Sequence, residues 1–233
     1  MNLKEYYNLL YRESIERITS DTYEIDTLIH SNNDLRFGLS LIIRPPEDIK
    51  NNIQGFLNEL KNVAPNQYYY PSTDIHVTVI SIISCYEGFD ISKINVQDYI
   101  TLVDQSVEFM QNRNISFKGL TASPSCVMVQ GYYYGTWLNE LRDNLRATFK
   151  SVDVEQSMDE RYLIKTAHST VCRFSDKLQQ KDKFLEILEK YRDFDFGTFA
   201  VDKLELVHND WYHREEFSKT LHHFDMVNKV KST

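Results

Sequence analysis

The 233-residue sequence contains three cysteines, Cys85, Cys126 and Cys172, and no two of them form a CxxC pair. An odd number at wide spacing argues against a disulfide framework or a cysteine zinc site and suits reduced thiols in a cytoplasm. Long apolar runs are also missing: none approaches the roughly 20 residues that cross a bilayer, so no membrane association is expected. The opening "MNLKEYYNLL" lacks a basic segment followed by an apolar stretch and a small-residue cleavage site, so no export signal is visible. Positive charge is short as well, with 26 Lys+Arg against 34 Asp+Glu, net −8 and pI ≈ 5.4. Extended duplex nucleic acid is bound by neutralising many phosphates, and this balance argues against it; a small anion in one locally basic cleft stays open. There is no nucleotide-triphosphate loop and no low-complexity segment.

What is present is a chain 42% hydrophobic and 13% aromatic, enough for a substantial core. Its length fits one large domain or two closely packed lobes. Residues 3–18 carry apolar side chains at helical spacing, and "HSNND" (30–34) then reads as a linker, so residues 1–35 form an N-terminal helical extension. "RFGLSLIIR" alternates as a strand, and "PPEDIKNNIQGFLNELKN" follows as a helix with Pro and acids in its first turn. After the tyrosine-rich "NQYYYPST" comes "TDIHVTVISII", a β-branched run interrupted by His76. The second half repeats this order. "SCVMVQGYYYG" reads as a strand, "TWLNELRDNLRATFK" as a helix capped by Thr136, and "YLIKTAHSTVCRF" as a strand holding His168. Phe37 precedes His76 by 39 positions and Val127 precedes His168 by 41. Such a fixed offset means two copies of one unit. Helices over 96–111 and 177–191 follow the two histidine strands. More strand follows each, in "ISFKGLTA" and "FDFGTFAVDKLELVH", and "EFSKTLHHFDMV" closes the second sheet. The fold class is α+β, bilobal, built from duplicated strand–helix–strand units. Residues 36–233 make one domain, with lobes of roughly 36–125 and 126–233 between which strands can be exchanged.

The two histidine strands share a pattern, His76-Val77-Thr78-Val79 and His168-Ser169-Thr170-Val171. Side chains alternate along a strand, so each imidazole and its threonine hydroxyl project from one face. Among seven histidines, only these two have Ser or Thr two positions on, which makes the doubled pattern specific where a single occurrence would not be. Taken alone, either histidine would read as a satisfied core imidazole. Together, two imidazoles across a cleft can act as general base and general acid, since histidine titrates near neutrality. The hydroxyls of Thr78 and Thr170 can donate to non-bridging phosphate oxygens. That set suffices for in-line attack at a phosphodiester with no metal and no cofactor.

On "HVTV", "HSTV", their spacing and the strand–helix–motif repeat, the sequence resembles the two-histidine (2H) phosphoesterases, which include the 2′-5′ RNA ligase-like proteins and cyclic phosphodiesterases. The resemblance runs from about Arg36 to Val227, with "DKLELVHND" similar to the strand after the second motif. It implies two antiparallel sheets facing a central groove with helices outside, and hydrolysis or transfer at 2′,3′-cyclic or 2′-5′ phosphodiesters. It implies His76 and His168 as catalytic residues and Thr78 and Thr170 as phosphate-binding residues. Ser169 departs from the family's usual apolar residue at that position. The expected partner is a small nucleotide or RNA end, and the expected state a monomer. Two other classes share the fold: a non-catalytic nucleotide-binding module, disfavoured because both motifs are complete, and an RNA-end 2′-5′ ligase, disfavoured by the acidic balance.

Other features read more simply. Tyr68–Tyr70 and Tyr132–Tyr134 either stack on a nucleobase or plug loop ends. Lys165 and Arg173 fall by alternation on the face opposite His168, which gives them a surface role. His208, His213, His222 and His223 have no carboxylate or cysteine spacing that completes a metal site.

Overall fold

The computed structural model describes residues 2–31, 33–107, 113–161 and 163–226. Helix α1 (Leu3–Thr19) opens with a capping box in which Asn2 Oδ1 accepts from Glu5 N–H and Glu5 Oε2 accepts from Asn2 N–H, both at 2.9 Å. Strand β1 (Arg36–Ile43) follows, then α2 (Glu47–Val63), whose Ile49, Ile53, Phe56, Leu57 and Leu60 form the buried stripe. The short β2 (Tyr68–Tyr69) leads to β3 (Val77–Glu87) and α3 (Val96–Ser106). The part of the expected 96–111 helix from position 108 onward lies outside the described residues. Next come β4 (Asn114–Ser123), β5 (Cys126–Tyr133) and α4 (Trp137–Lys150). Thr136 flanks α4 as expected, but its hydroxyl donates to the Glu140 carboxylate at 2.5 Å and not to the helix backbone. The chain closes with β6 (Ser169–Arg173), α5 (Lys181–Lys190), β7 (Asp195–Ala200), β8 (Lys203–Asp210) and β9 (Lys219–Asp225).

The strands form two antiparallel sheets, one ordered β3-β1-β8-β9 and the other β2-β6-β5-β4-β7. The fold is therefore α+β with one histidine motif in each sheet, as the repeat implied. The sheets exchange strands. β4 follows the first motif yet pairs with β5, and β8 follows the second motif yet pairs with β1. The final alternating run, expected to close the second sheet, is β9 at the edge of the first, because β8 has already crossed over and an adjacent antiparallel partner needs only a short connection. Among the described residues, no helix is long and apolar enough to cross a membrane.

Both motif strands carry the same irregularity. Ile42 pairs with Thr78 and Leu41 with Ile80, so Val79 is an extra, bulged residue. Met128 pairs with Thr170 and Val127 with Cys172, so Val171 is bulged at the corresponding place. A bulge bends its strand and re-aims the side chains beyond it.

Candidate active site

His76 and His168 sit one residue ahead of β3 and β6. One cavity takes in both, together with Thr78, Thr170, Tyr70 and Arg173. The structure thus brings all four sequence-predicted residues to one place. Neither threonine hydroxyl is engaged by a protein partner among the described residues, which leaves both free to donate to a ligand. Ser169 points the other way and is fully buried, its hydroxyl without a partner among the described residues. An apolar residue would suit that site better, since an unmatched buried hydroxyl costs about 1–3 kcal/mol.

Arg173 is where strict alternation fails. Thr170 pairs with Met128 and Arg173 with Cys126; Met128 and Cys126 are two apart on regular β5, so Thr170 and Arg173 share a face. The bulge at Val171 supplies the missing residue of parity and turns Arg173 into the groove. Its Nε donates to Tyr70 Oη at 2.9 Å, and Nη1 lies 3.7 Å from Asp26 Oδ2. The corresponding position of the first motif is Ser81, so of the two motif strands it is the second that brings a guanidinium into the groove. Lys165 stays exposed at the surface.

The imidazoles are held from behind. His76 Nδ1 donates to the Asp74 carbonyl at 2.7 Å, which leaves Nε2 for chemistry. His168 Nδ1 lies 2.6 Å from Thr166 Oγ1. Behind both motifs, fully buried Arg142 of α4 donates to Val79 O at 2.8 Å, Thr78 O at 3.3 Å and Thr166 O at 2.6 Å. One guanidinium therefore ties the bulge of the first motif to the segment that delivers His168.

A third histidine belongs to the site. The β8–β9 loop folds back over the groove and puts the His213 ring 4.2 Å from that of His76, with the His213 backbone left-handed at φ 59°. Asn209 Nδ2 donates to His213 Nε2 at 3.1 Å, and Glu215 N–H donates to Asp74 Oδ1 at 3.1 Å. His76 is left 8% exposed under this cover. The other histidines lie elsewhere: His30 packs on Tyr68, His208 stacks on Phe37, His222 packs on Phe224, and His223 approaches Glu205 at 3.7 Å. Among the tyrosine triplets only Tyr70 reaches the groove, while Tyr134 is 82% exposed. The other aromatic side chains lining the groove are Trp211 and the buried Tyr212, with the guanidiniums of Arg36 and Arg161 at 4.5 and 4.9 Å from the Trp211 ring centre.

Burial pushes the His76 and His168 imidazoles down to about 4; for His76 the positive Arg44, and for His168 the positive Arg142, act in the same direction. Burial likewise holds His213 well below the ordinary range. All three are neutral at pH 7 in the free groove. A bound phosphate anion reverses the sign, because negative charge beside an imidazole favours the imidazolium. Between the low free value and the higher bound value, the complex carries a proton that the free protein lacks. Binding of a cyclic phosphorothioate analogue, a monoanion throughout this range, should therefore be accompanied by proton uptake on the acid side of pH 7, and affinity should strengthen as pH falls from 7. Calorimetry in buffers of different ionisation enthalpy measures this; zero uptake would show that no imidazole senses the anion.

This groove, with its paired and bulged His-x-Thr strands, lies on a strand-exchanged α+β fold. Among solved structures, the chain is similar to the Thermus thermophilus protein TT0787, with TM-score 0.57, 14% identity and coverage of 84% of this chain and 100% of that one. It is similar to E. coli LigT in complex with 3'-AMP, with TM-score 0.54, 11% identity and coverage of 83% and 99%. A phosphoesterase matches with TM-score 0.51, 12% identity and coverage of 83% and 99%. At these identities what is shared is the fold, and it is the fold that the paired motifs implied. No family model and no curated protein matches the sequence.

Proposed function

We propose that this chain is a metal-independent phosphodiesterase of the two-histidine kind, acting on a 2′,3′-cyclic or 2′-5′ phosphodiester of a small nucleotide or RNA end. The observation that carries the reading is the convergence of both His-x-Thr pairs and Arg173 on one cavity. In the proposed reaction, one neutral imidazole takes a proton from an attacking water or ribose hydroxyl. The new P–O bond forms as the opposite P–O bond breaks, and the other imidazole, protonated in the complex, gives its proton to the leaving oxygen. Thr78, Thr170 and Arg173 hold the non-bridging oxygens, where negative charge is greatest in the transition state. The two imidazoles end with exchanged proton states, so each serves as acid in one direction and base in the other. LigT, of the same fold, is seen complexed with 3'-AMP, ATP, NADP+ and phosphate, which supports a small nucleotide as ligand. The two-histidine domain is residues 36–233, preceded by the extension of residues 1–35, and the chain works as a monomer in the cytoplasm. That compartment suits three buried cysteines that are free thiols.

The test is a panel of 2′,3′-cyclic and 2′-5′-linked nucleotides, with and without chelator. At least one substrate should turn over at the same rate in both conditions. No turnover across the panel, or loss with chelator that added Mg²⁺, Mn²⁺ or Zn²⁺ restores, overturns the reading. Thr78→Ala or Thr170→Ala should lower kcat by about ten- to a thousandfold, the range for losing one oxyanion donor, with the circular dichroism spectrum and melting point preserved. Unchanged turnover, or early melting, would make the hydroxyls structural.

A further inference from the structure

The N-terminal segment has no part in the motif repeat, yet it reaches both sides of the second motif. Tyr7 of α1 is fully buried against the second sheet, where Thr121 Oγ1 donates to its backbone carbonyl at 3.0 Å. Its phenol lies where the β5–β6 ladder ends. The last pair is Val129 with Ser169, and two residues further on Gly131 would face Ala167. The backbones converge there so closely that a Cβ on Gly131 would lie 1.9 Å from the Ala167 carbonyl oxygen. Tyr7 Oη takes up the hydrogen bonds the ladder leaves: it accepts from Gly131 N–H at 3.3 Å and donates to Gly131 O at 3.1 Å. The Thr166 hydroxyl and the Ala167 backbone lie beside it, and burial keeps the phenol protonated. Thr166 Oγ1 is in turn 2.6 Å from His168 Nδ1.

Donor counting gives this chain a direction. The single Tyr7 O–H is spent on the Gly131 carbonyl, so towards the Thr166 hydroxyl beside it the phenol oxygen can only accept. A Thr166 hydroxyl turned to Tyr7 Oη has its own oxygen left to accept from His168 Nδ1–H, with Nε2 left for the groove. The segment continues past α1 along the end of β6, with Asp26 N–H donating to Phe174 O at 2.7 Å. The Asp26 carboxylate accepts from Tyr212 Oη at 2.9 Å and from Leu28 N–H at 3.1 Å, and it faces Arg173 Nη1 at 3.7 Å.

We propose that residues 2–31 are part of the catalytic centre, with Tyr7 the positioning residue that sets the tautomer of His168 through Thr166, and Asp26 the positioning residue that aims Arg173. Residues that orient a catalytic side chain from behind typically contribute about ten- to a hundredfold. The proposal rests on the two-histidine reading for its effect on rate, but not for its effect on the imidazole.

The experiment pairs imidazole ¹⁵N NMR of the full chain with turnover of a 2′,3′-cyclic nucleotide. Wild type should show His168 as the Nδ1–H form at pH 7. In Tyr7→Phe the Thr166 hydroxyl loses its acceptor and turns to donate to Nδ1, so His168 should shift to the Nε2–H form, and kcat should fall by about tenfold or more with KM unchanged. Should Tyr7→Phe fold poorly, Thr166→Val removes the same link from the other side and should also redistribute the tautomers, while Thr166→Ser should keep the wild-type form. Asp26→Asn should raise KM by about tenfold with a smaller change in kcat. A His168 tautomer unmoved in a folded Tyr7→Phe protein overturns the role of Tyr7, and an unchanged KM in Asp26→Asn overturns that of Asp26. A wild type inactive on every substrate would overturn the phosphodiesterase reading instead, and the NMR result would still decide the link from Tyr7 to His168.

Discussion

Replacing either His76 or His168 with Ala should nearly abolish phosphodiester turnover, and the double variant should be little worse than either single one. The proposed transition state moves two protons, one to an imidazole and one from the other. Removing either partner forfeits the coupled step, so the second removal has little left to take away. The pH dependence should carry a further signature. In the free protein both imidazoles titrate at about 4, so the profile of kcat/KM, which reports the free enzyme, should be centred on the acid side. The profile of kcat reports the complex, where the bound anion raises both values, and it should be displaced toward neutral pH. Each variant is checked for folding by circular dichroism and then assayed with a 2′,3′-cyclic nucleotide. A folded single variant that retains more than about a tenth of wild-type activity would sink the two-histidine mechanism, since even a weak general acid or base contributes more than that.

Much of this groove was legible in the sequence because strand periodicity and repetition are local properties. His76 and Thr78, and His168 and Thr170, share a face by a two-residue offset, and the matching distances from Phe37 and Val127 exposed the duplication. Strand exchange left no such mark. Which sheet β8 joins depends on its partner β1, more than a hundred residues earlier, and β9 then follows β8 as its antiparallel neighbour.

Arg173 was misplaced for a related reason. A bulge is a property of the ladder between two strands, and the Val79 and Val171 that carry it look like any other strand valine. His213 was missed because its arrival over His76 depends on a loop that turns back with a left-handed residue, at a position where no glycine announces the turn. Arg142 did leave a signal. It stands four residues after Leu138 and three before Leu145, within the buried stripe of α4, where a charged residue is out of place unless its donors have work inside.

That work supports the second large effect. Arg142→Met should keep most of the buried volume yet destabilise the protein by roughly 3–5 kcal/mol, because the carbonyls of Thr78, Val79 and Thr166 lose their donor in a site water does not reach. Arg142→Lys should not rescue it, since one ammonium on a flexible stem cannot reproduce a planar fork that serves two strands at once. Burial has pushed the guanidinium down to about 10, so it is still charged at neutral pH, and its Nη1 has no partner among the described residues. The desolvation cost of that charge offsets part of the gain, and a loss nearer 3 than 5 kcal/mol is the expected result. A purely structural arginine would change stability alone. This one also helps depress the His168 imidazole, so the Met variant should raise the His168 value and shift the kcat/KM profile toward neutral pH. Urea unfolding at pH 7 and the pH profile of the surviving folded protein measure the two consequences separately. A loss below about 1 kcal/mol, the scale of one ordinary hydrogen bond, would mean that the two motifs hold their relative positions without the tie.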